Sequence, residues 1–275
     1  MNIIDTHQHF WKYNSTDFGW VTDNMRILRK DYLPDELEVI LKNNQVNGCI
    51  AVQADQSETE TNYLLELAAS NSFISGVVGW IDLRNPYLDG RLQHYKQFTK
   101  LKGFRHILQS EEPAFMLQDD FLQGINLLQK YNFTYDILIY PKHLAAALEL
   151  VKHFPLQSFV IDHMAKPDVN NKEIDEWEKG IRAISNYANV SCKLSGLVTE
   201  ANWQTWTNQD LVPYINTIVQ AFGIDRIMFG SDWPVCLLAS AYDRWLSVVK
   251  DFFSEYPIED QEKIFSQNAI NFYHL

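Results

Sequence analysis

Short runs dominated by apolar and β-branched residues alternate along the chain with longer stretches whose apolar positions recur three to four residues apart. The runs are Ile3–His9, Gly48–Ala54, Gly76–Leu83, Leu101–Leu108, Tyr135–Tyr140, Ser158–Met164, Asn189–Gly196 and Arg226–Trp233. They are almost continuously hydrophobic, the pattern of parallel strands buried on both faces. Between them lie helix patterns. Pro34 opens residues 34–44, with Asp35 and Glu36 in the first turn, where acids suit the helix dipole. Ser57 heads residues 57–70, with Glu60 at capping-box spacing, and Tyr63, Leu64, Leu67 and Ala68 form one apolar stripe. Eight such alternations predict a (β/α)8 TIM barrel. The competing α/β architecture is an open doubly wound sheet, but the first run leads into no GxGxxG or phosphate-binding loop. A barrel of about 250 residues is commonly one domain, so residues 1–275 are expected to form a single barrel domain. The segment 10–33, rich in aromatic and charged residues, reads as a long loop over the active end of the barrel.

Composition narrows the partners. Hydrophobic residues make up 46% and charged residues 21%, which excludes intrinsic disorder. The net charge of −12 argues against nucleic acid and against anionic membrane surfaces. No apolar run reaches the ~18–20 residues of a spanning helix. The opening MNIIDTHQHF has neither the basic nor the apolar region of an export signal. The three cysteines, Cys49, Cys192 and Cys236, are scattered and odd in number. Free thiols in a reducing cytoplasm are therefore expected, and a thiolate metal site is not.

In a barrel the chemistry sits where the strands end. Strand 1 ends in His7-x-His9, and alternation points both imidazoles to one side. Strand 6 ends in His163 and strand 8 in Asp232. Each alone has an ordinary structural explanation: a satisfied buried histidine, or a turn or cap aspartate. Together they put four polar groups at one end of the barrel, where burial without use is costly. Arg105, Lys193 and Lys102 are candidate cations for an anionic or hydroxylated substrate, with structural ion pairs as the equal alternative. Alternation turns His106 and Lys102 away from Arg105. Phe10, Trp11, Trp20, Trp80 and Trp233 are candidates to stack on a ring or to fill the barrel mouth. No GxSxG elbow supports serine catalysis.

The segments IIDTHQHFW, AVQADQSETETNYLLELA, GVVGWIDL, LKGFRHILQSE, VIDHMAKP, NVSCKLSGLVTEANW and FGIDRIMFGSDWPV resemble the amidohydrolase superfamily nearly end to end. They are most similar to its lactonase branch, which acts on sugar-acid lactones and on 2-pyrone-4,6-dicarboxylate. The resemblance implies that His7 and His9 are the strand-1 pair and His163 the strand-6 histidine. It makes Asp232 the strand-8 aspartate that takes a proton from the attacking water. The strand-5 histidine of metal-dependent members is missing, and His143 follows Pro141 in the loop.

These observations together predict a hydrolase of a cyclic ester, a sugar-acid (aldono) lactone such as L-fuconolactone. Asp232, His7, His9 and His163 are the expected catalytic residues, and Arg105, Lys193 and Trp80 the expected substrate-binding ones. No cofactor is expected to be required. The first rival is a metal-dependent amidohydrolase or decarboxylase holding Zn²⁺ on His7, His9 and Asp232, with His163 or His143. The second is a non-catalytic barrel that binds a sugar acid.

Overall fold

The computed structural model describes residues 1–275. Its strands are β1 (Ile4–Gln8), β2 (Gly48–Val52), β3 (Ile74–Gly79), β4 (Leu101–Ile107), β5 (Thr134–Leu138), β6 (Phe159–Ile161), β7 (Val190–Leu194) and β8 (Ile227–Phe229). Each strand pairs in parallel with the next in chain order. The helices are α1 (Pro34–Asn43), α2 (Glu58–Ser70), α3 (Leu88–Tyr95), α4 (Asp119–Lys130), α5 (Leu144–His153), α6 (Asp175–Ile184), α7 (Asn208–Phe222), α8 (Tyr242–Phe252), α9 (Ile258–Glu262) and α10 (Asn268–Tyr273). This is the expected (β/α)8 barrel. Pro34 stands in the first turn of α1, and the Ser57 hydroxyl accepts the Glu60 N–H at the start of α2.

β1 and β8 close the barrel through few bonds. The Asp232 N–H donates to His7 O and the His9 N–H to Trp233 O, each at 2.7 Å. The Thr6 hydroxyl reaches Phe229 O at 2.7 Å. Asp5 staples the same seam, because its Oδ1 accepts the Ser231 N–H at 2.8 Å and its Oδ2 the Tyr242 hydroxyl at 3.1 Å. Ile50, Val52, Val78, Val160 and Met228 fill the lower barrel with Tyr273 from α10. A cluster of 72 buried residues includes the apolar core between sheet and helices. No helix is long and apolar enough to cross a membrane.

The strands are shorter than the hydrophobic runs. β3 ends at Gly79, β6 at Ile161 and β8 at Phe229, so Trp80, His163 and Asp232 lie in the loops beyond. The physical reason at two of these ends is backbone conformation: His163 and Asp232 have φ of 51° and 59°. A strand cannot continue through left-handed residues.

Candidate active site

Three imidazoles converge on one carboxylate oxygen at the C-terminal end of the barrel. Nε2 of His9, His163 and His7 lies 3.4, 3.8 and 3.9 Å from Asp232 Oδ1. All four residues are buried. β6 delivers His163 through four consecutive left-handed residues, His163–Lys166, with φ of 51°, 55°, 58° and 50°. That conformation costs roughly 1–2 kcal/mol per non-glycine residue. The surrounding contacts therefore have to hold the turn in place.

Hydrogen bonds fix how the imidazoles face the site. His9 Nδ1–H donates to Val52 O at 2.8 Å, which leaves the Nε2 lone pair toward Asp232. His163 Nδ1 bonds Ser195 Oγ at 2.9 Å. His7 Nε2 lies 3.2 Å from Arg105 Nη1, and a guanidinium only donates, so Nε2 is the acceptor. With Nε2 the acceptor, the ring proton is on Nδ1 and faces Asp162 Oδ1 at 3.2 Å, and Lys193 Nζ, also 3.2 Å from Nδ1, directs its protons to the Asp136 and Asp162 carboxylates instead. Burial holds His7 and His163 well below the ordinary imidazole range, so both are neutral near pH 7. Burial pushes the Asp232 carboxyl up, but the neighbouring His163 and His9 outweigh it and hold it below the usual carboxylate range.

Beneath the imidazoles lies a buried charge network. Arg105 Nη1 donates to Asp162 Oδ2 at 3.0 Å, and Arg105 Nε and Nη2 hold Gln53. Lys193 Nζ stands 2.5 Å from Asp136 Oδ2 and 3.0 Å from Asp162 Oδ1. The Tyr273 hydroxyl completes it on Asp136 Oδ2 at 2.9 Å. Lys193, His7 and Arg105 together overcome burial and hold Asp162 well below the carboxylate range.

Above the convergence opens a cavity of about 580 Å³. His9, Arg105, His163, Lys166, Glu200 and Asp232 supply its polar wall. Trp11, Trp20, Met25, Ile107, Leu138, Trp203, Val235 and Leu238 supply apolar surface. Trp11, Trp20 and Met25 come from the segment after β1, which covers this end of the barrel as expected. Phe10 and Trp233 are fully buried and outside the lining, so they pack rather than stack.

Several expectations need correction. Arg105 reaches the cavity, but Lys193 does not: it is fully buried beneath His7, with its charge taken up by two carboxylates. Trp80 turns away and donates its indole N–H to His106 Nδ1 at 3.3 Å, outside the cavity lining. Neither is placed to touch a substrate. His143 is no ligand either, since its Nδ1 bonds the Tyr140 backbone and its Nε2 lies 3.0 Å from Glu111 O. Lys102 lies near the chain's C-terminus, where its Nζ donates to His274 O. Asp162, Asp136, Lys166 and Glu200 stand outside the set of site residues expected from the sequence. Lys166 and Glu200 nonetheless sit inside the family-like segments VIDHMAKP and NVSCKLSGLVTEANW.

The donors suit a cation. Bonds of ~2.0–2.1 Å set tetrahedral ligands ~3.3–3.4 Å apart, close to the His9–Asp232 spacing of 3.4 Å. His7, His9 and Asp232 form one group of converging donor atoms, and His7, Asp162 and His163 a second. Arg105 and Lys193 already stand on Asp162 in the second group, whereas no lysine or arginine stands on Asp232, so the first is the better seat once His7 Nε2 exchanges its Arg105 contact for the ion.

The family model for amidohydrolases matches residues 4–275. The chain is 40% identical to an L-fucono-1,5-lactonase of Burkholderia multivorans over 90% of this chain and 87% of that one. It is 32% identical to an L-fucono-1,5-lactonase of Burkholderia ambifaria over 99% and 95%. A Burkholderia multivorans amidohydrolase crystallised with bound zinc superposes with a TM-score of 0.96 at 37% identity, over the whole of both chains. That zinc and the converging donors overturn the expectation that no cofactor is required. The missing strand-5 histidine misled because His7, His9 and Asp232 assemble a donor group without it.

Proposed function

The chain belongs to the amidohydrolase family and is a lactonase, a hydrolase of a sugar-acid cyclic ester, and we propose that L-fucono-1,5-lactone is its substrate. The observation that carries the mechanism is the approach of three imidazole Nε2 atoms to Asp232 Oδ1 on the cavity wall. In this reading the Asp232 carboxylate takes a proton from water as that water adds to the ester carbonyl. The acyl C–O bond then breaks, and Asp232 returns the proton to the departing ring oxygen. The product is the open hydroxy acid. His163, kept neutral by burial, holds the water and the carbonyl. Arg105, held by Gln53 and Asp162, offers fixed positive charge where the carbonyl oxygen becomes negative. We assign zinc to His7, His9 and Asp232, where it would supply Lewis-acid charge to the carbonyl.

We place the whole site in one barrel domain over residues 1–275. A reducing cytoplasm suits its three buried free cysteines.

The test is hydrolysis of L-fucono-1,5-lactone beside other aldonolactones, followed by proton release. Asp232→Asn should melt like the wild type and lose about 10²–10⁴-fold in kcat. Wild-type kcat in that variant would remove Asp232 from the mechanism. No turnover of any aldonolactone by wild-type protein would overturn the substrate class.

A further inference from the structure

The left-handed turn that aims His163 also aims a lysine. Lys166, the fourth residue of the turn, lines the cavity, and its Nζ donates to Glu200 Oε1 at 2.7 Å. The two side chains are only 14% and 20% exposed. A partly buried ion pair on a pocket wall is poor stabilisation, because desolvation offsets most of the attraction. Its unused hydrogen-bonding capacity is more informative. One of three Lys166 N–H groups is committed to Glu200. Glu200 Oε1 also lies 3.4 Å from Thr199 Oγ1, and Oε2 has no protein partner. The pair therefore presents N–H donors beside a carboxylate acceptor. A hydroxyl that accepts from one and donates to the other complements it, and two neighbouring hydroxyls do so better. Trp203 lies beside them, its indole N–H donating to Thr199 O at 2.9 Å, and lines the same cavity. An aromatic face next to a donor–acceptor pair suits a ring with C–H bonds on its face and hydroxyls at its edge.

We infer that Lys166 and Glu200 form the subsite that reads the ring hydroxyls of the lactone and so separates sugar lactones from unsubstituted ones. This assignment rests on the lactonase reading. Lys166 and Glu200 already satisfy each other in part, so an unhydroxylated ring leaves them less stranded than lone buried groups would be. The discrimination should be moderate, on the order of 10–100-fold, below the 10⁴-fold of sites left wholly unpaired.

The experiment compares L-fucono-1,5-lactone with δ-valerolactone, which keeps the cyclic ester and lacks the hydroxyls. Wild type, Glu200→Gln, Lys166→Met and the double variant are assayed on both. The expected result is a loss of about 30-fold or more in kcat/KM on the sugar lactone, mostly in KM. On δ-valerolactone the loss should be threefold or less, so the preference collapses. Equal losses on the two lactones would overturn the subsite, because a general disturbance of the pocket affects both alike. An unchanged preference in all variants would overturn it too. Failure of wild-type protein to hydrolyse either lactone would overturn the lactonase reading and this assignment with it.

Discussion

Gly196 lies against the ring of His163 so closely that a Cβ there would stand 2.5 Å from Nδ1 and 2.7 Å from Cγ. Gly196 also has φ of 62°, which side chains disfavour. Together they explain the glycine in KLSG: the chain after β7 forms the wall behind the strand-6 histidine.

Gly196→Ala should therefore push His163 off Ser195 and away from Asp232. Misplacement of a catalytic group by a fraction of an ångström to one ångström costs up to about 10²-fold. We expect kcat to fall by about 10–100-fold with a smaller change in KM, in a protein that still shows the wild-type circular dichroism spectrum. Full kcat would show that the ring has room to move.

Removal of metal should lower activity. Dialysis against a strong chelator is expected to reduce kcat and to release close to one zinc per chain, measured by plasma emission. Zinc addition should restore both. His9→Ala should reduce zinc content as well as rate, because it removes one of the three donors. Undiminished activity at negligible metal content would sink this assignment.

Lys193 should matter for stability through charge. Lys193→Met strands the fully buried Asp136, which keeps only the Tyr273 hydroxyl, while Asp162 keeps Arg105. Breaking a buried pair on one side costs about 3–5 kcal/mol, whereas removing both partners is often near neutral. Urea denaturation should therefore find Lys193→Met strongly destabilised and the double variant Lys193→Met/Asp136→Leu substantially recovered. Additive losses would show that the network is not coupled in this way.

Glu60 supplies a pH signature. Its carboxylate accepts the Asp55 N–H at 2.8 Å and the Ala54 N–H at 3.0 Å, closing the loop between β2 and α2. Burial pushes its pKa up to about 8 against those bonds. The folded carboxyl thus holds its proton more tightly than the unfolded one. Its contribution to stability is full below about pH 4.5 and is lost as pH rises through about 8. Glu60→Gln removes that dependence. The melting temperature of Glu60→Gln minus that of the wild type should rise between pH 5 and pH 8.5. A constant or falling difference would count against the shifted carboxyl.

The barrel was legible in the chain because its information is local and repeated. Continuous apolar runs and intervening amphipathic stretches declare buried parallel strands and covering helices without reference to one another. His7, His9, His163 and Asp232 were legible for the same reason: each sits at or just past the end of such a run, and strand ends share one face of the barrel. Which way a side chain turns beyond the last strand residue was decided only by the tertiary structure. Left-handed backbone at His163–Lys166 and Asp232 breaks the two-residue alternation, so Lys166 enters the cavity although no periodicity predicts it. Trp80 lies past the end of β3 and pairs with outward-facing His106. Lys193 does obey alternation and points inward, yet its depth along β7 leaves it among Asp136, Asp162 and His7, below the cavity. The lysine's place on its strand is written in sequence. Whether its charge meets a substrate or two buried carboxylates depends on strands β5 and β6, far from it in the chain, and on how high each ends.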